Sequence, residues 1–294
     1  MLLSTAIEHF TTYLKANCRS GATIDCYRRD LTALLRFAGD LDTAALTSDV
    51  LNRFIVSNAV QRKADGAPRS EVTINRCKSA LRSYGAWMVD AGLAQRSPAG
   101  ALSIRRTSRQ SPSTLTDSER KRMLRELGAR KGEPATRDRV MLELLLGTGI
   151  RLSELVGLDI GNVDLEGKQI SIRAKGGNDE TRFINTSLRR LLRSYLRHRK
   201  QSPADSQALF LSNRECRISK RQVQARFRLW LQWAGIDRPG LSLHSTRHTF
   251  ASRMYLRSKD LVLVGRALGH KSVEATQVYV RCSDEELEDV LETL

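Results

Sequence analysis

No apolar run in this 294-residue chain is long enough to cross a bilayer, which argues against a membrane-spanning protein. The opening Met1-Leu2-Leu3-Ser4-Thr5 lacks the basic start and long apolar stretch of a secretory leader. Cysteine is sparse. Cys18, Cys26, Cys77, Cys216 and Cys282 form no C-x-x-C pair, and no Cys/His group has zinc spacing. Free thiols in a reducing compartment are the simplest reading, so a soluble cytoplasmic protein is expected. Two further absences bear on chemistry. There is no G-x-x-x-x-G-K-[ST] loop for nucleotide phosphates, and no carboxylate cluster of the kind that holds catalytic Mg²⁺. Neither a cofactor nor a metal is expected.

Positive charge is abundant. The formal net charge is +17, so a polyanion is the expected partner. Charge alone does not separate an enzyme from a histone-like or ribosomal protein. Its distribution is uneven, because Ser283 to Leu294 holds six acidic residues and no basic one. The length suits two domains. Both carry the excess: +7 up to Gln110 (16 basic, 9 acidic) and +10 beyond it (33 basic, 23 acidic).

Residues 1–105 read as all-helical. Thr5-Ala-Ile-Glu8 has the capping-box pattern, with Ile7, Phe10, Tyr13 and Leu14 forming an apolar face behind it. A second helix is expected from about Gly21, striped by Ile24, Tyr27, Leu31, Leu34 and Leu35, with Arg28, Arg29 and Arg36 off the stripe. A third starts near Ser48. The segment from Gln61 to Arg69 reads as a loop, and a long fourth helix runs from about Ser70 to Ala91 and ends at Gly92. Arg76, Lys78 and Arg82 make a basic strip on that helix, which on this pattern alone is a solvated face or a DNA contact.

Residues 106–114 are basic, lack apolar periodicity and read as a linker. Two domains on such a linker are able to clamp a duplex. The second domain opens at Leu115, where Thr116 and Glu119 form a second capping box. An apolar helix from Asp138 to Leu146 leads to Gly147-Thr-Gly149-Ile-Arg151, and the glycines allow a tight break before the next helix. Glu154, one turn beyond Arg151, reads as a group that holds or orients rather than as a catalytic acid. Residues 162–186 hold the one convincing β region, a small antiparallel sheet signalled by Ile170, Ile172, Phe183 and Ile184, with Lys175 at a hairpin turn and Lys168 as the other candidate lysine. Helices follow near Ser187–Lys200 and Lys220–Gly235. Lys220 and Arg221 stand at the start of the latter, a good place for phosphate or groove contact.

The densest chemistry lies in His244-Ser-Thr-Arg247-His-Thr-Phe-Ala251. A His and an Arg at one helix start place two donors where free N–H groups already favour an anion. Arg247 is able to grip two phosphate oxygens with its planar fork. His270 follows, and Tyr279 lies nine residues beyond it. Ser283 to Glu286 opens a final amphipathic helix with Leu287, Val290, Leu291 and Leu294 on one stripe.

Arg151, Lys175, His244, Arg247, His270 and Tyr279 occur in the order and spacing of the tyrosine recombinases, and the chain closely resembles that family, which includes phage and mobile-element integrases and the Xer recombinases. The resemblance covers nearly the whole length and rests on three separated motifs. It implies a fold that is mainly α with a small antiparallel β-sheet: a helical core-binding (SAM-like) domain over 1–105, a basic linker over 106–114 and a catalytic domain over 115–282. Residues 283–294 would dock on a neighbouring protomer. The implied activity is site-specific DNA cleavage and rejoining through a covalent 3′-phosphotyrosine, in integration or excision of an element or resolution of replicon dimers or cointegrates. The resemblance further implies that Arg151, Arg247 and His244 stabilise the phosphate, His244 also being a candidate acid/base. Lys175 would protonate the leaving 5′ hydroxyl, His270 would position phosphate or tyrosine, and Tyr279 would attack. It favours DNA contact by Arg28, Arg29, Arg76, Lys78, Arg82, Lys220 and Arg221. The implied partners are a double-stranded site with inverted half-sites and a tetramer, either homomeric or shared with a second recombinase. Thr246, Lys271 and Val280 depart from the commonest family wording without removing a functional group. A type IB topoisomerase uses similar chemistry, and a non-catalytic DNA-binding protein would share the charge; those are the alternatives.

Overall fold

The computed structural model describes residues 1–105, 113–173, 179–199 and 207–269. The chain divides into two compact units, Met1–Arg109 and Gln110–Leu294.

The first unit is helical throughout its described residues: α1 (Leu3–Ala16), α2 (Gly21–Ala38), α3 (Ser48–Val56), the single turn α4 (Asn58–Gln61) and α5 (Glu71–Asp90). Ser20, Thr47 and Ser70 each cap the helix that follows by accepting a backbone N–H three residues on. The expected Thr5–Glu8 box does not form, because α1 already begins at Leu3. Its start is set from a distance: Leu2 bridges to Asp42, and the Asp40 carboxylate accepts from both the N–H and the hydroxyl of Ser4. The core of this unit is built on Phe10, Tyr84 and Trp87, whose rings meet edge-on and tilted at 5.3–5.6 Å between centroids.

The second unit is organised around α7 (Glu133–Thr148), which is buried on most of its faces. Helices α6 (Asp117–Ala129), α9 (Thr186–His198) and α11 (Leu243–Ser258) pack around it. The Thr116–Glu119 box closes in both directions as expected. The sheet has the order β1 (Val163–Asp164), β2 (Gln169–Arg173), β3 (Asp179–Phe183), all antiparallel. Its alternation on β3 is the reverse of the apolar pattern: Arg182 points inward and Phe183 is 77% exposed. The remaining helices are α8 (Leu152–Gly157), α10 (Lys220–Trp233) and α12 (Leu261–Leu268). Asp138 is a fully buried hub. It accepts from Trp230 Nε1 at 3.0 Å, Arg226 Nε at 2.7 Å and the Arg137 guanidinium at 3.2 Å, so this carboxylate ties α10 to α7. The last residues ahead of α6 already belong to this unit, since Thr114 O accepts from Arg238 Nη2 at 2.6 Å and Leu115 N donates to Thr249 Oγ1 at 2.8 Å.

Candidate active site and DNA-contact surface

The turn after α7 is possible only with glycine at its centre. Gly149 has φ +63°, and a Cβ there would lie 2.5 Å from Phe250 Cδ1 and 3.0 Å from Leu268 Cδ2. The left-handed turn lets the chain reverse at once into buried Ile150 and then Arg151, the residue that caps α8. Glu154, one helical turn on, orients Arg151 twice over. One carboxylate oxygen accepts from the Arg151 backbone N–H and the other from its Nη1, each at 2.7 Å. Glu154 is buried while the Arg151 side chain keeps about a third of its surface, so the carboxylate works as a holder and the guanidinium stays accessible.

The other arginine is buried. Arg247, one turn into α11, is 6% exposed. Its Nη1 donates to Gly149 O at 2.6 Å and its Nη2 to Leu268 O at 2.8 Å. One planar cation therefore joins the turn two residues before Arg151 to the last residue of α12, two residues before His270. The carbonyls at the C-terminal ends of α7 and α12 suit a cation there. His244 lies on the first turn of α11 and is exposed. His248 is half-buried. Burial pulls its pKa below the ordinary histidine value, and its neighbours His244 and Arg247 pull the same way.

Of the six expected catalytic residues, Arg247 holds the turn that leads into Arg151, and His244 stands three residues before Arg247 on α11. Lys175, His270 and Tyr279 lie outside the described residues, as does the segment 283–294. Strands β2 and β3 end on either side of residues 174–178, with Arg173 paired to Asp179. Lys168 stands at the turn between β1 and β2, with φ +52° and its carbonyl held by Ile184 N.

The basic residues of the first unit fall into two groups. Arg28 and Arg29 are exposed on α2 and, with Thr32, Arg36 and Arg69, line a groove of 790 Å³. Arg36 continues the face of Arg28 and Arg29 two turns on, a signal present in the sequence. Arg69 arrives from a loop and had none. Arg76, Lys78 and Arg82 each reach a partner within the unit, with Arg76 and Lys78 half-buried and Arg82 exposed. Arg76 reaches Cys26 and pairs with Asp30 at 2.9 Å, Lys78 Nζ donates to Ser103 O at 3.0 Å, and Arg82 Nη1 reaches Leu102 O at 3.5 Å. Asp30 is buried, which raises its carboxyl pKa against the pull of Arg76, Arg29 and Arg69. This partner was not visible in the sequence, because α2 and α5 meet only in the fold.

On α10, Lys220 and Arg221 are exposed in the first turn, behind a Ser219–Gln222 capping box and with no acidic residue beside them. Two cations at the positive end of a helix oppose its dipole. An anion bound there would relieve that repulsion.

Comparison with known proteins points one way. The Phage integrase family profile matches residues 113–286, and the Phage integrase N-terminal SAM-like domain matches residues 7–92. The chain is 33% identical over 290 residues to the tyrosine recombinase XerC of Serratia marcescens, covering 98% of this chain and 93% of that one. It is 31% identical over 291 residues to XerC of Neisseria gonorrhoeae, covering 96% and 93%. Among solved structures, the XerH site-specific recombinase bound to palindromic difH substrate in a post-cleavage complex superposes with a TM-score of 0.76 at 20% identity, covering 97% of this chain and 83% of that one. The Tn1549 transposon integrase in complex with transposon right end DNA superposes with a TM-score of 0.76 at 17% identity, covering 100% and 99%. At these identities the structural matches speak for the fold.

Proposed function

Because the chain belongs to the phage integrase family and is a tyrosine site-specific recombinase, an enzyme that cleaves and religates DNA, we propose that Tyr279 is its nucleophile and that Arg151, Arg247 and His244 hold the phosphate it attacks. The observation that carries this reading is the Arg247 guanidinium, which holds the Arg151 turn and the end of α12 in one place. Two arginines and a histidine neutralise the charge of a five-coordinate phosphorus. The Tyr279 oxygen bonds to phosphorus, its phenolic proton passing to His244, as the bond to O5′ breaks. Lys175 gives O5′ its proton, and His270 positions the phosphate or the tyrosine. A 3′-phosphotyrosine results. The 5′ hydroxyl of a second strand reverses the step, so the phosphoester energy is conserved and no ATP is consumed.

The partner is a double-stranded recombination site with inverted half-sites, bound by a tetramer of this chain or by one shared with a second recombinase. Arg28, Arg29, Arg76, Lys78, Arg82, Lys220 and Arg221 supply the phosphate and groove contacts. The compartment is the cytoplasm; no helix among the described residues is long and apolar enough to cross a membrane. Full-length likeness to XerC proteins supports resolution of replicon dimers or cointegrates, with integration or excision of an element as the related role.

A suicide substrate nicked beside the cleavage position tests the nucleophile. Wild type should give a covalent protein–DNA band and Tyr279→Phe none. A band of equal yield from Tyr279→Phe would overturn the assignment.

A further inference from the structure

The inward face of β3 carries charge where a small sheet normally carries hydrocarbon. Glu180 and Arg182 stand opposite Ile172 and Ile170, which are 2% and 0% exposed. Arg182 is itself 6% exposed, and arginine is seldom buried unless paired. Its Nη2 pairs with the Glu180 carboxylate and its Nη1 donates to Thr181 O at 3.1 Å. Its Nε has no hydrogen-bond partner among the described residues. Glu180 is partly exposed, and a pair with one buried member is a poor way to gain stability, so a positional role is the better account of it.

What the pair touches indicates that role. Gly269 has φ +65°, and a Cβ there would overlap both the Glu180 carboxylate and the Arg182 guanidinium. Gly269 follows Leu268, whose carbonyl accepts from Arg247 Nη2. Contacts therefore run without a gap from the Arg151 turn through Arg247 to the end of α12, and from there through the ion pair to β3. Glu180 lies one residue past Asp179, the first residue of β3 and four positions after Lys175 in sequence.

We infer that Arg182, paired with Glu180, is a positioning residue that sets the Lys175 hairpin against the phosphate pocket of Arg151 and Arg247. The inference rests on the reading of Lys175 as the acid that protonates O5′. Such an acid must stand within hydrogen-bond reach of the oxygen it serves, about 3 Å. A misplacement of about 1 Å lowers the rate by about 100-fold.

The test uses two suicide substrates in single-turnover cleavage, one with the natural bridging O5′ and one with sulfur in its place. A thiolate leaves without a proton, so the sulfur substrate does not need the acid. Arg182→Ala and Glu180→Gln are compared with wild type and with Lys175→Ala, after binding and thermal melting have been measured for each. Glu180→Gln keeps the side-chain shape and releases the pair, so it decides the matter if Arg182→Ala does not fold. Both variants should cleave the oxygen substrate about 100-fold slower than wild type and the sulfur substrate within about 3-fold of it. Equal slowing on both substrates, or no slowing on either, would overturn the inference while leaving Lys175 as the acid if Lys175→Ala is rescued by sulfur. If sulfur fails to rescue Lys175→Ala, the reading of Lys175 falls and the inference falls with it.

Discussion

Arg247 and Arg151 of the second unit and Arg28 and Arg29 of the first are held in opposite ways. Arg247 is buried and fixed by two backbone carbonyls at 2.6 and 2.8 Å, and Arg151 is fixed by both oxygens of one buried carboxylate. Arg28 and Arg29 stand exposed on α2, with Arg28 no nearer than 3.7 Å to Asp25. An exposed pair of that kind is worth about 0–1 kcal/mol. The difference fits the roles proposed for each. A group that stabilises a transition state gains from being placed before the substrate arrives, because no reorganisation is then needed at the moment of reaction. A group that supplies affinity for a polyanion acts through counterion release, which asks for charge and reach rather than a fixed angle.

The comparison breaks most readily at the turn beneath the buried arginine. Gly149→Ala places a side chain in a left-handed backbone conformation and against Phe250 and Leu268. It should destabilise the second unit by about 3 kcal/mol, from strain and overpacking together. Chemical denaturation of the variant checks this, with loss of cleavage expected alongside. Next in size is Arg76→Ala, which strips the buried Asp30 of its ion-pair partner. A loss of about 2 kcal/mol is expected in the first unit, less than for a fully dry pair because Arg76 is partly exposed. If melting is unchanged and only DNA binding falls, Arg76 belongs with the surface group instead. Arg28→Ala and Arg29→Ala sharpen the other side of the contrast. Each should change stability by less than about 0.5 kcal/mol and lower the salt slope of DNA binding by about 1. Titrations at several salt concentrations measure it. The smallest effect has the reverse sign. Lys220→Gln and Arg221→Gln remove charge that opposes the α10 dipole, so each should raise stability by about 0.3 kcal/mol while weakening DNA binding.

Much of the fold and part of the site were legible in the sequence, and the exceptions share a physical cause. Features written in local spacing came through: the Thr116–Glu119 box, α5 between Ser70 and Gly92, the glycine break before Arg151, and the antiparallel strands on either side of residues 174–178. Glu154 holds its arginine as its one-turn spacing implied. Features decided by distant partners did not. The true start of α1 depends on Asp40 and Asp42, more than 30 residues away in sequence. Asp30 and Asp138 look like surface carboxylates until α2 meets α5 and α7 meets α10. On β3 the apolar pattern favoured Phe183 as an inward residue, but the register with β2 turns Arg182 in, and the partner that makes this tolerable is Glu180. The same register hid the link from the hairpin to α12.

The most direct measurement compares the two classes of arginine on one suicide substrate, reading DNA affinity and single-turnover covalent adduct formation from the same proteins. With protein saturating, Arg28→Ala and Arg29→Ala should form adduct at the wild-type rate after a loss of affinity. Arg247→Lys should bind within a few-fold of wild type and form adduct at least about 100-fold more slowly. Adduct formation by Arg247→Lys at the wild-type rate would contradict the placement of Arg247 at the reacting phosphate, and with it the site described around that residue.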